Sequence, residues 1–371
     1  MGTLTLILLE RECYVMPYIL SVGTAVPPFQ VDQEESMRMT RQLFGGAYSD
    51  IDRLLTVFAN SSIRKRHFSV PSDWFQTDHT VGEKNRLYVE SACRLGTQAI
   101  QNCLHKLPLS AAEIDCLIFV SSTGFATPSI DARIVNLLDM KEHVTRIPIW
   151  GLGCAAGAMG VSRAFEYVRA FPETMVLLLA VELCGLTFVK NDLSKSNLVA
   201  TSLFADGAAA VLIAGDACVD SLSLKPLAKI VDRITTTWKN SLDVMGWDVT
   251  DDGLRVIFSR DIPTLIRQRI RANVDGFLER TGKSLTDISR YIPHPGGPKV
   301  LSAYREVLGL RPVHTSLAEE VLAEFGNMSS ATVLFVLEKS LEQQWTRGEY
   351  GLVTALGPGF SSELILLESG R

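Results

Sequence analysis

The chain of 371 residues is long enough to bury a large core, either as one α/β unit or as two closely packed halves. Its composition, with 47% hydrophobic and 21% charged residues, is that of a well-packed globular protein. The net charge of −5 without a basic stripe argues against nucleic-acid binding, and no apolar run reaches the ~18 residues that a membrane span needs.

Residues 1–16 are interpreted as an N-terminal extension, and translation from an upstream start codon would account for it. The apolar run in this segment is short, no basic residue precedes it, and Glu10, Arg11 and Glu12 follow it at once. This pattern fits neither a secretory signal nor a membrane helix. The first strand is predicted at 18–27, and without a signal segment the protein is expected to be cytoplasmic.

Strands and helices are predicted to alternate along the rest of the chain. Short continuous apolar runs, which are typical of strands covered on both faces, occupy 116–123, 175–183 and 208–215, with helices at 85–107, 129–139 and 155–171. After about residue 225 the pattern begins again, with helices at 262–281, 298–308 and 328–345 and strands at 288–294, 351–356 and 363–368. No Pro-, Gly- or Ser-rich linker intervenes, so we predict two packed α/β halves, 17–225 and 226–371, that share one core.

The cysteines and histidines indicate neither a disulfide framework nor a metal site. The seven cysteines are odd in number and widely spaced, without a C-x-x-C pair, which is typical of reduced thiols. The six histidines include no H-x-x-x-H, and none lies at zinc-ligand spacing from a cysteine. The one dense basic cluster, Arg64-Lys65-Arg66, suits either a solvated surface or a CoA phosphate.

Cys154 stands out in the stretch 148-PIWGLGCAAGAMG-160. We predict a strand at 147–150, a glycine turn at 151–153 and a buried helix that begins with Cys154. Unpaired N–H groups and the positive end of the helix dipole would then surround the sulfur, and such a site lowers the pKa of a thiol. The alternative is that Cys154 is a small core residue.

Two other polar residues could act with this thiol. His294, in 291-YIPHPGGPKV-300, ends an apolar strand between prolines, although it could equally be an ordinary loop histidine. Asn327, in 325-FGNMSSA-331, directly precedes a helix, where a capping role is the simplest interpretation. With Cys154 they form a Cys-His-Asn trio of nucleophile, base and oxyanion partner.

Two enzyme classes use this trio, the papain-like proteases and the thiolase-fold condensing enzymes. The spacing of 140 positions from Cys154 to His294 suits a papain-like protease. However, C-A-A-G is not the papain-type signature, and 153 residues precede the cysteine, whereas the papain-like nucleophile lies near the mature N-terminus. The local sequences match the second class.

The motifs WGLGCAAGA, NLVATSLFADGAAA, IPHPGG, GNMSSA and ALGPGFSSE follow one another between about residue 17 and the end of the chain. In these motifs the chain resembles the type III polyketide synthases of the chalcone-synthase-like family, and among them most of all the bacterial alkylpyrone synthases. The resemblance implies a thiolase-like, layered αβαβα fold of two pseudo-repeated halves. It also implies an acyltransferase that condenses malonyl-CoA iteratively, with decarboxylation, onto a long-chain fatty acyl-CoA, followed by cyclisation to alkylpyrones, with alkylresorcinols as a second product class. A 3-oxoacyl-ACP synthase III-like enzyme, which would carry H-Q-A-N, and a non-catalytic acyl-CoA-binding paralogue are the alternatives.

The resemblance also implies roles for individual residues. Cys154 would carry the starter, His294 and Asn327 would stabilise the enolate formed from malonyl-CoA, and Phe204 would be the gatekeeper. Val256 aligns with a second gatekeeping Phe of plant members, although Phe258 lies two residues further on. Of the family's basic CoA-binding positions, Arg53 matches one, whereas Thr56 and Asn60 fall on others. The remaining cavity positions implied by the resemblance are Thr127, Thr187, Ser329, Gly357, Pro358, Gly359 and Phe360.

The resemblance implies partners as well. CoA thioesters carry the reacting groups and decarboxylation generates the nucleophile, so no cofactor or metal is expected. Family members are homodimers in which a loop of one subunit lines the cavity of the other, and Thr127 in 124-GFATPS-129 matches that loop.

Overall fold

A computed structural model describes residues 15–370, so the predicted extension lies almost entirely outside the described residues. The strands are β1 (Pro17–Ala25), β2 (Phe29–Asp32), β3 (Lys65–Phe68), β4 (Cys116–Val120), β5 (Thr145–Ile149), β6 (Met175–Leu183), β7 (Asp206–Gly215), β8 (Ala228–Thr237), β9 (Met245–Thr250), β10 (Gly253–Phe258), β11 (Ile288–Pro293), β12 (Tyr350–Gly357) and β13 (Ser361–Ser369). The helices are α1 (Gln33–Phe44), α2 (Ile51–Ala59), α3 (Val81–Leu104), α4 (Ile130–Leu137), α5 (Ala156–Ala170), α6 (Lys195–Leu203), α7 (Asp216–Ser221), α8 (Ile262–Arg280), α9 (Pro298–Leu308), α10 (Ser316–Phe325) and α11 (Thr332–Glu342).

Most predicted elements lie within a few residues of the observed ones, and β6 and α9 coincide with their predicted bounds. The helix predicted from residue 85 begins earlier, at Val81, because Thr80 and Glu83 form a capping box that stabilises its first turn. The helix predicted at 328–345 is shorter, since a 3-10 turn at Ser329–Ala331 precedes α11. The β9–β10 hairpin, which the periodicity did not predict, covers one side of the site described below.

One sheet of nine strands runs through the described part of the chain in the order β11-β12-β13-β8-β1-β7-β6-β4-β5. Its two halves join where β1 pairs with β8, and only two residue pairs form there, Tyr18 with Lys229 and Ile19 with Ala228. The strands β6 and β7 are buried along their whole length, which explains their continuous apolar sequence.

The two halves repeat one topology. The order β4-β6-β7-β1 in the first half corresponds to β11-β12-β13-β8 in the second. In each set the first pair of neighbours is parallel and the next two pairs are antiparallel. The helices α3 and α8 occupy equivalent places in the chain, as do α5 and α11. This confirms the prediction of two pseudo-repeated halves.

Three apolar clusters lie between the layers. The central cluster takes residues from both halves and includes the inner faces of α5 and α11, which contact strands of both half-sheets. A second cluster lies under α3 and contains only residues of the first half, and a third lies under α8 and α9 and contains only residues of the second. The layers are therefore helix, sheet, helix, sheet, helix, as predicted.

The N-terminal ends of α5 and α11 meet at the centre of the molecule. A Cβ atom on Gly157 of α5 would lie 2.1 Å from the carbonyl oxygen of Ser330, just before α11. Only glycine permits this approach of helix to backbone. The small residues after Cys154 therefore bring the two predicted catalytic segments together.

Candidate active site

The structure brings Cys154, His294 and Asn327 into one cavity, the trio cavity, which has an empty volume of about 370 Å³. Cys154 lies in a 3-10 turn, Gly153–Ala155, directly before α5. His294 follows β11, and Asn327 lies between α10 and the turn that leads into α11. Three segments that are distant in the sequence thus meet at the facing ends of the central helices.

The ionisation of Cys154 differs from the expectation. Burial raises the pKa of the Cys154 thiol to about 11, and the charge of Glu182 also raises it, while hydrogen bonds from the Ser329 and Asn327 side chains lower it. The prediction of a lowered pKa at the helix start was wrong, because the loss of water around the sulfur outweighs these hydrogen bonds. The resting group is a thiol that must give up its proton during the reaction.

His294 is suited to receive that proton. Its side chain is buried, and burial lowers the pKa of the imidazole to about 4, so the ring is neutral at pH 7. The backbone N–H of His294 donates to the Thr354 carbonyl at 2.7 Å, which fixes the strand end. Both ring nitrogens are buried and have no hydrogen-bond partner among residues 15–370. The neutral ring can therefore accept a proton at one nitrogen and donate one from the other.

Asn327 is held by its backbone and its side chain. Its N–H donates to the Leu203 carbonyl and its carbonyl accepts from Ala205 N–H, both at 2.9 Å. The Asn327 Oδ1 accepts from the Ser329 N–H at 2.9 Å, and Nδ2 donates to the Gly296 carbonyl at 3.4 Å. The Asn327 side chain therefore accepts a backbone hydrogen bond at the start of the 3-10 turn, in line with the capping interpretation. Asn327 also lines the trio cavity, where its amide N–H₂ group is a hydrogen-bond donor.

Glu182, which the sequence did not single out, is hydrogen-bonded to the residues that hold both catalytic turns. This fully buried carboxylate accepts hydrogen bonds from Ser122 N–H at 3.0 Å, Thr123 Oγ1 at 3.0 Å and Ser330 Oγ at 2.6 Å. The Ser122 hydroxyl in turn accepts from the Gly153 N–H at 3.2 Å. Burial raises the pKa of Glu182 to about 7. The signal that could have found it is a single acidic residue inside the apolar strand 175-MVLLLAVEL-183.

The predicted gatekeeper lies on a second cavity, the gate cavity, which shares Cys154 with the first. Phe204, Val256, Ser329 and Pro358 line this space, which has an empty volume of about 360 Å³. Val256 and Phe258 both line the gate cavity together with Phe204, and Phe258 lines the trio cavity as well. Trp247 of the hairpin, which the sequence did not single out, has its ring 6.1 Å from that of Phe204.

The predicted loop Gly357–Phe360 contacts the cysteine turn, but its residues differ in role. A Cβ atom on Gly153 would lie 2.7 Å from Pro358 Cδ, and one on Gly357 would lie 2.5 Å from the Leu152 carbonyl oxygen. Gly359 has a φ of +74°, which favours glycine. Phe360 does not line the trio or gate cavity: its ring is buried 5.2 Å from that of Trp238. Its assignment to the substrate cavity is therefore corrected to a core position.

Beyond the gate lies an inner cavity with an empty volume of about 630 Å³, and Thr187 lines it as predicted. It shares Phe204, Trp247 and Val256 with the gate cavity. Apolar side chains of its wall include Met39, Leu43, Phe68, Phe75, Phe188 and Leu254, and Arg66 is one of the polar residues that also line it.

On the opposite side an outer cavity with an empty volume of about 1500 Å³ shares Phe258, Ile262, Gly296 and Val300 with the trio cavity. Arg53, Thr56 and Asn60 line it, and the other cationic residues on its wall are Lys195, Arg260 and Lys299. The basic triplet lies elsewhere. Arg64 and Lys65 form ion pairs with Glu324, and Arg66 is buried.

Four predicted cavity residues do not line any of the four cavities described above: Thr127, Gly357, Gly359 and Phe360. Of these, Thr127 belongs to the predicted partner-contacting loop 124–129. It is exposed and precedes a cis peptide bond to Pro128. Nearby, the exposed rings of Phe125 and Trp150 lie 5.4 Å apart. An exposed aromatic pair of this kind is typical of a contact with another molecule.

Residues 15–370 contain no group of three or more His, Cys, Asp or Glu side chains arranged to hold a metal ion. Within the same range, none of the helices combines the length and apolar character needed to cross a membrane. The six cysteines in this range are free thiols.

Family models and curated relatives match most of the chain. Residues 7–280 match the family model described as "FAE1/Type III polyketide synthase-like protein", and residues 230–370 match "Chalcone and stilbene synthases, C-terminal domain". The chain is 46% identical over 360 residues to a Bacillus subtilis (strain 168) protein named "Putative chalcone synthase", covering 95% of this chain and 98% of that one. It is 30% identical to the "Alpha-pyrone synthesis polyketide synthase-like" protein of Mycobacterium tuberculosis, with 94% and 90% covered.

A solved structure gives the same result for the fold. The 1,3,6,8-tetrahydroxynaphthalene synthase of Streptomyces coelicolor A3(2), a bacterial type III polyketide synthase, superposes with a TM-score of 0.89 at 26% identity. The match covers 95% of this chain and 99% of that one.

Proposed function

We propose a specific reaction for this chain from the premise that it belongs to the family of chalcone and stilbene synthase-like type III polyketide synthases. These are acyltransferase-type condensing enzymes with a thiolase-like fold. Within the family, we propose that this chain extends a long-chain fatty acyl-CoA with malonyl-CoA and releases alkylpyrones, with alkylresorcinols as a second product class. The observation that carries this choice is the apolar inner cavity behind the gate.

The first step is the transfer of the starter to Cys154. The thiol gives its proton to the neutral imidazole of His294, and the thiolate attacks the acyl-CoA thioester carbonyl. The C–S bond to CoA then breaks, and the CoA thiolate takes the proton from His294. Because the Cys154 thiol has a pKa of about 11, this proton transfer has to accompany the attack.

The second step is the decarboxylation of malonyl-CoA in the trio cavity. Loss of CO₂ leaves the electron pair of the broken C–C bond on an enolate, whose oxygen accepts hydrogen bonds from His294 and the Asn327 Nδ2. The apolar face of Phe204 disfavours the charged carboxylate and favours neutral CO₂. The enolate carbon attacks the acyl thioester on Cys154, so the sulfur leaves as thiolate and the chain on CoA is two carbons longer.

The order of the cavities supports a fatty starter. CoA would occupy the outer cavity, where Arg53, Lys195, Arg260 and Lys299 can neutralise its phosphates. The acyl chain would pass from Cys154 through the gate cavity into the inner cavity, where Met39, Leu43 and Leu254 offer apolar surface to an alkyl chain. Val256 keeps the gate wider than a phenylalanine would, and the Mycobacterium tuberculosis relative is named for alpha-pyrone synthesis.

We further propose a homodimer in the cytoplasm, working without a metal or cofactor. The exposed loop with Phe125 and Thr127, which lies outside its own chain's cavities, would contact the partner subunit and complete the partner's cavity. The free thiols suit a reducing compartment. Size measurement by light scattering tests the dimer directly.

The test is mass spectrometry of products from the purified chain with malonyl-CoA and acyl-CoA starters of graded length, plus one aromatic starter. Alkylpyrones or alkylresorcinols that peak at long starters support the proposal. The variant Cys154→Gln serves as the control: it should form no extended product but still decarboxylate malonyl-CoA, because His294 and Asn327 remain. Free fatty acid alone, or binding without turnover, would refute the synthase proposal, and the second result would favour the non-catalytic paralogue.

A further inference from the structure

Arg66 is a buried cation without an anionic partner. This residue of β3 is 2% exposed and forms no ion pair among residues 15–370. Its Nε is buried without a hydrogen-bond partner in the same range. Burial lowers the pKa of the guanidinium to about 9. A buried, unpaired charge is costly, so its retention beside the gate needs a physical reason.

The guanidinium binds the end of the helix that leads to the gatekeeper. Arg66 Nη1 donates to the Thr201 carbonyl at 2.6 Å and to the Phe204 carbonyl at 2.8 Å. Phe204 is the C-cap of α6 and directly follows its last residue, Leu203. The carbonyl groups at a helix C-terminus carry partial negative charge, which compensates the cation in part.

The same segment is joined on its other side to Asn327. Leu203 and Ala205 form the two 2.9 Å backbone hydrogen bonds to Asn327, so Phe204 lies between them in a short parallel bridge. The stem of Arg66 also packs on the residue before Asn327, since a Cβ atom on Gly326 would lie 2.7 Å from Arg66 Cγ. Arg66 therefore contacts both strands of this bridge.

From this geometry we infer that Arg66 is a positioning residue for malonyl decarboxylation, which holds Phe204 and Asn327 as one rigid unit. The inference rests on the proposed function and deepens it. Arg66 also lines the inner cavity, but its contacts with the candidate catalytic site run through Phe204 and the Gly326–Asn327 segment. The turn that carries Cys154 has an anchor that does not involve Arg66, the hydrogen bond from the Gly153 N–H to the Ser122 hydroxyl. Loss of the Arg66 clamp should therefore affect decarboxylation and leave acyl transfer to Cys154 intact.

The experiment compares Arg66→Met and Arg66→Lys with the control Arg64→Met, whose side chain lies on the surface two positions earlier and pairs with Glu324. Two rates are measured in the full-length protein. One is acetyl-CoA formation from malonyl-CoA. The other is acylation of Cys154 by a fatty acyl-CoA alone, followed by intact mass. Arg66→Met should lower kcat for decarboxylation by about 10- to 100-fold, the cost of a misplaced catalytic group, with acylation within about twofold of wild type.

Arg66→Lys keeps the charge but loses the planar fork, so a smaller loss of decarboxylation is expected, again without loss of acylation. Unchanged decarboxylation in Arg66→Met, or an equal loss of both rates, would overturn the inference. If the methionine variant does not fold, the same two comparisons in the lysine variant decide the matter. A wild-type protein without any decarboxylation would instead overturn the proposed function itself, together with this inference.

Discussion

The contact between the two central helices predicts a large effect of one methyl group. In Gly157→Ala the new Cβ would lie 2.1 Å from the Ser330 carbonyl oxygen, so α5 and the turn before α11 must separate by about 1 Å to restore an ordinary contact. Overpacking of this kind costs about 3 kcal/mol when the obstacle is backbone, and alanine recovers about 1 kcal/mol of helix propensity. The net loss of unfolding free energy is therefore about 2 kcal/mol.

The matched control is Gly276→Ala. Gly276 is also in a helix, α8, but a Cβ there would meet no atom within 4 Å. This substitution should stabilise the protein by about 1 kcal/mol, since only the helix propensity changes. For 371 residues the unfolding entropy is about 0.8 kcal/mol per degree. Gly157→Ala should thus lower Tm by about 2–3 °C, and Gly276→Ala should raise it by about 1 °C.

The assay is thermal unfolding of the three proteins at one concentration, followed by malonyl-CoA decarboxylation at a temperature where all are folded. A shift of about 1 Å in the turn that carries Asn327 should lower decarboxylation by about 100-fold in Gly157→Ala, with Gly276→Ala unchanged. If Gly157→Ala were as stable and as active as Gly276→Ala, the close helix contact would not exist as described.

Two further predictions concern the gate and the buried carboxylate. Val256→Phe should lower kcat/KM for long acyl starters by about tenfold or more, because a phenyl ring fills the opening to the inner cavity, while malonyl decarboxylation stays within about twofold. Val249→Phe, at an exposed position of the same hairpin, is the control. An unchanged dependence of kcat/KM on starter length in Val256→Phe would contradict the role of Val256 at the gate. The pKa of Glu182 is raised to about 7 by burial, so the folded protein keeps a proton that the unfolded chain releases from about pH 4.5 upward. Unfolding free energy should therefore fall as pH rises through this window, by about 3 kcal/mol from this group, and denaturant titrations of Glu182→Gln should lack that part of the slope. Equal slopes in both proteins would show that Glu182 is ionised throughout.

Local pattern was sufficient for most elements and for the candidate catalytic residues. The apolar run 175–183 and the helix 298–308 were placed correctly, because periodicity and the proline and glycine residues that flank them act over a few residues. Cys154, His294 and Asn327 were identified because each lies in a motif of its own. The structure then brings them into one cavity, while their catalytic roles stay a prediction.

Other properties depended on contacts between residues far apart in the chain. Glu182 bonds to Ser330 across 148 positions, and Arg66 bonds to Phe204 across 138, so no local pattern indicates either contact. Val256 and Phe258 both line the gate cavity, and the register of the β9–β10 hairpin decides that only Val256 of the two also lines the inner cavity. Phe360, assigned to the cavity from its motif, turned out to face the core.

The sequence by itself determined the class of fold, the repeat of two halves and the trio of candidate catalytic residues. These follow from hydrophobic periodicity and from short motifs, each of which can be compared separately with the motifs of a known family. Only the tertiary structure decided the state of the Cys154 thiol and the shape of the space around it. Burial raises the pKa of that thiol, contrary to the expectation from the helix start alone. The physical reason is that hydration and cavity shape are set by all the surrounding segments together, and no single segment contains that information.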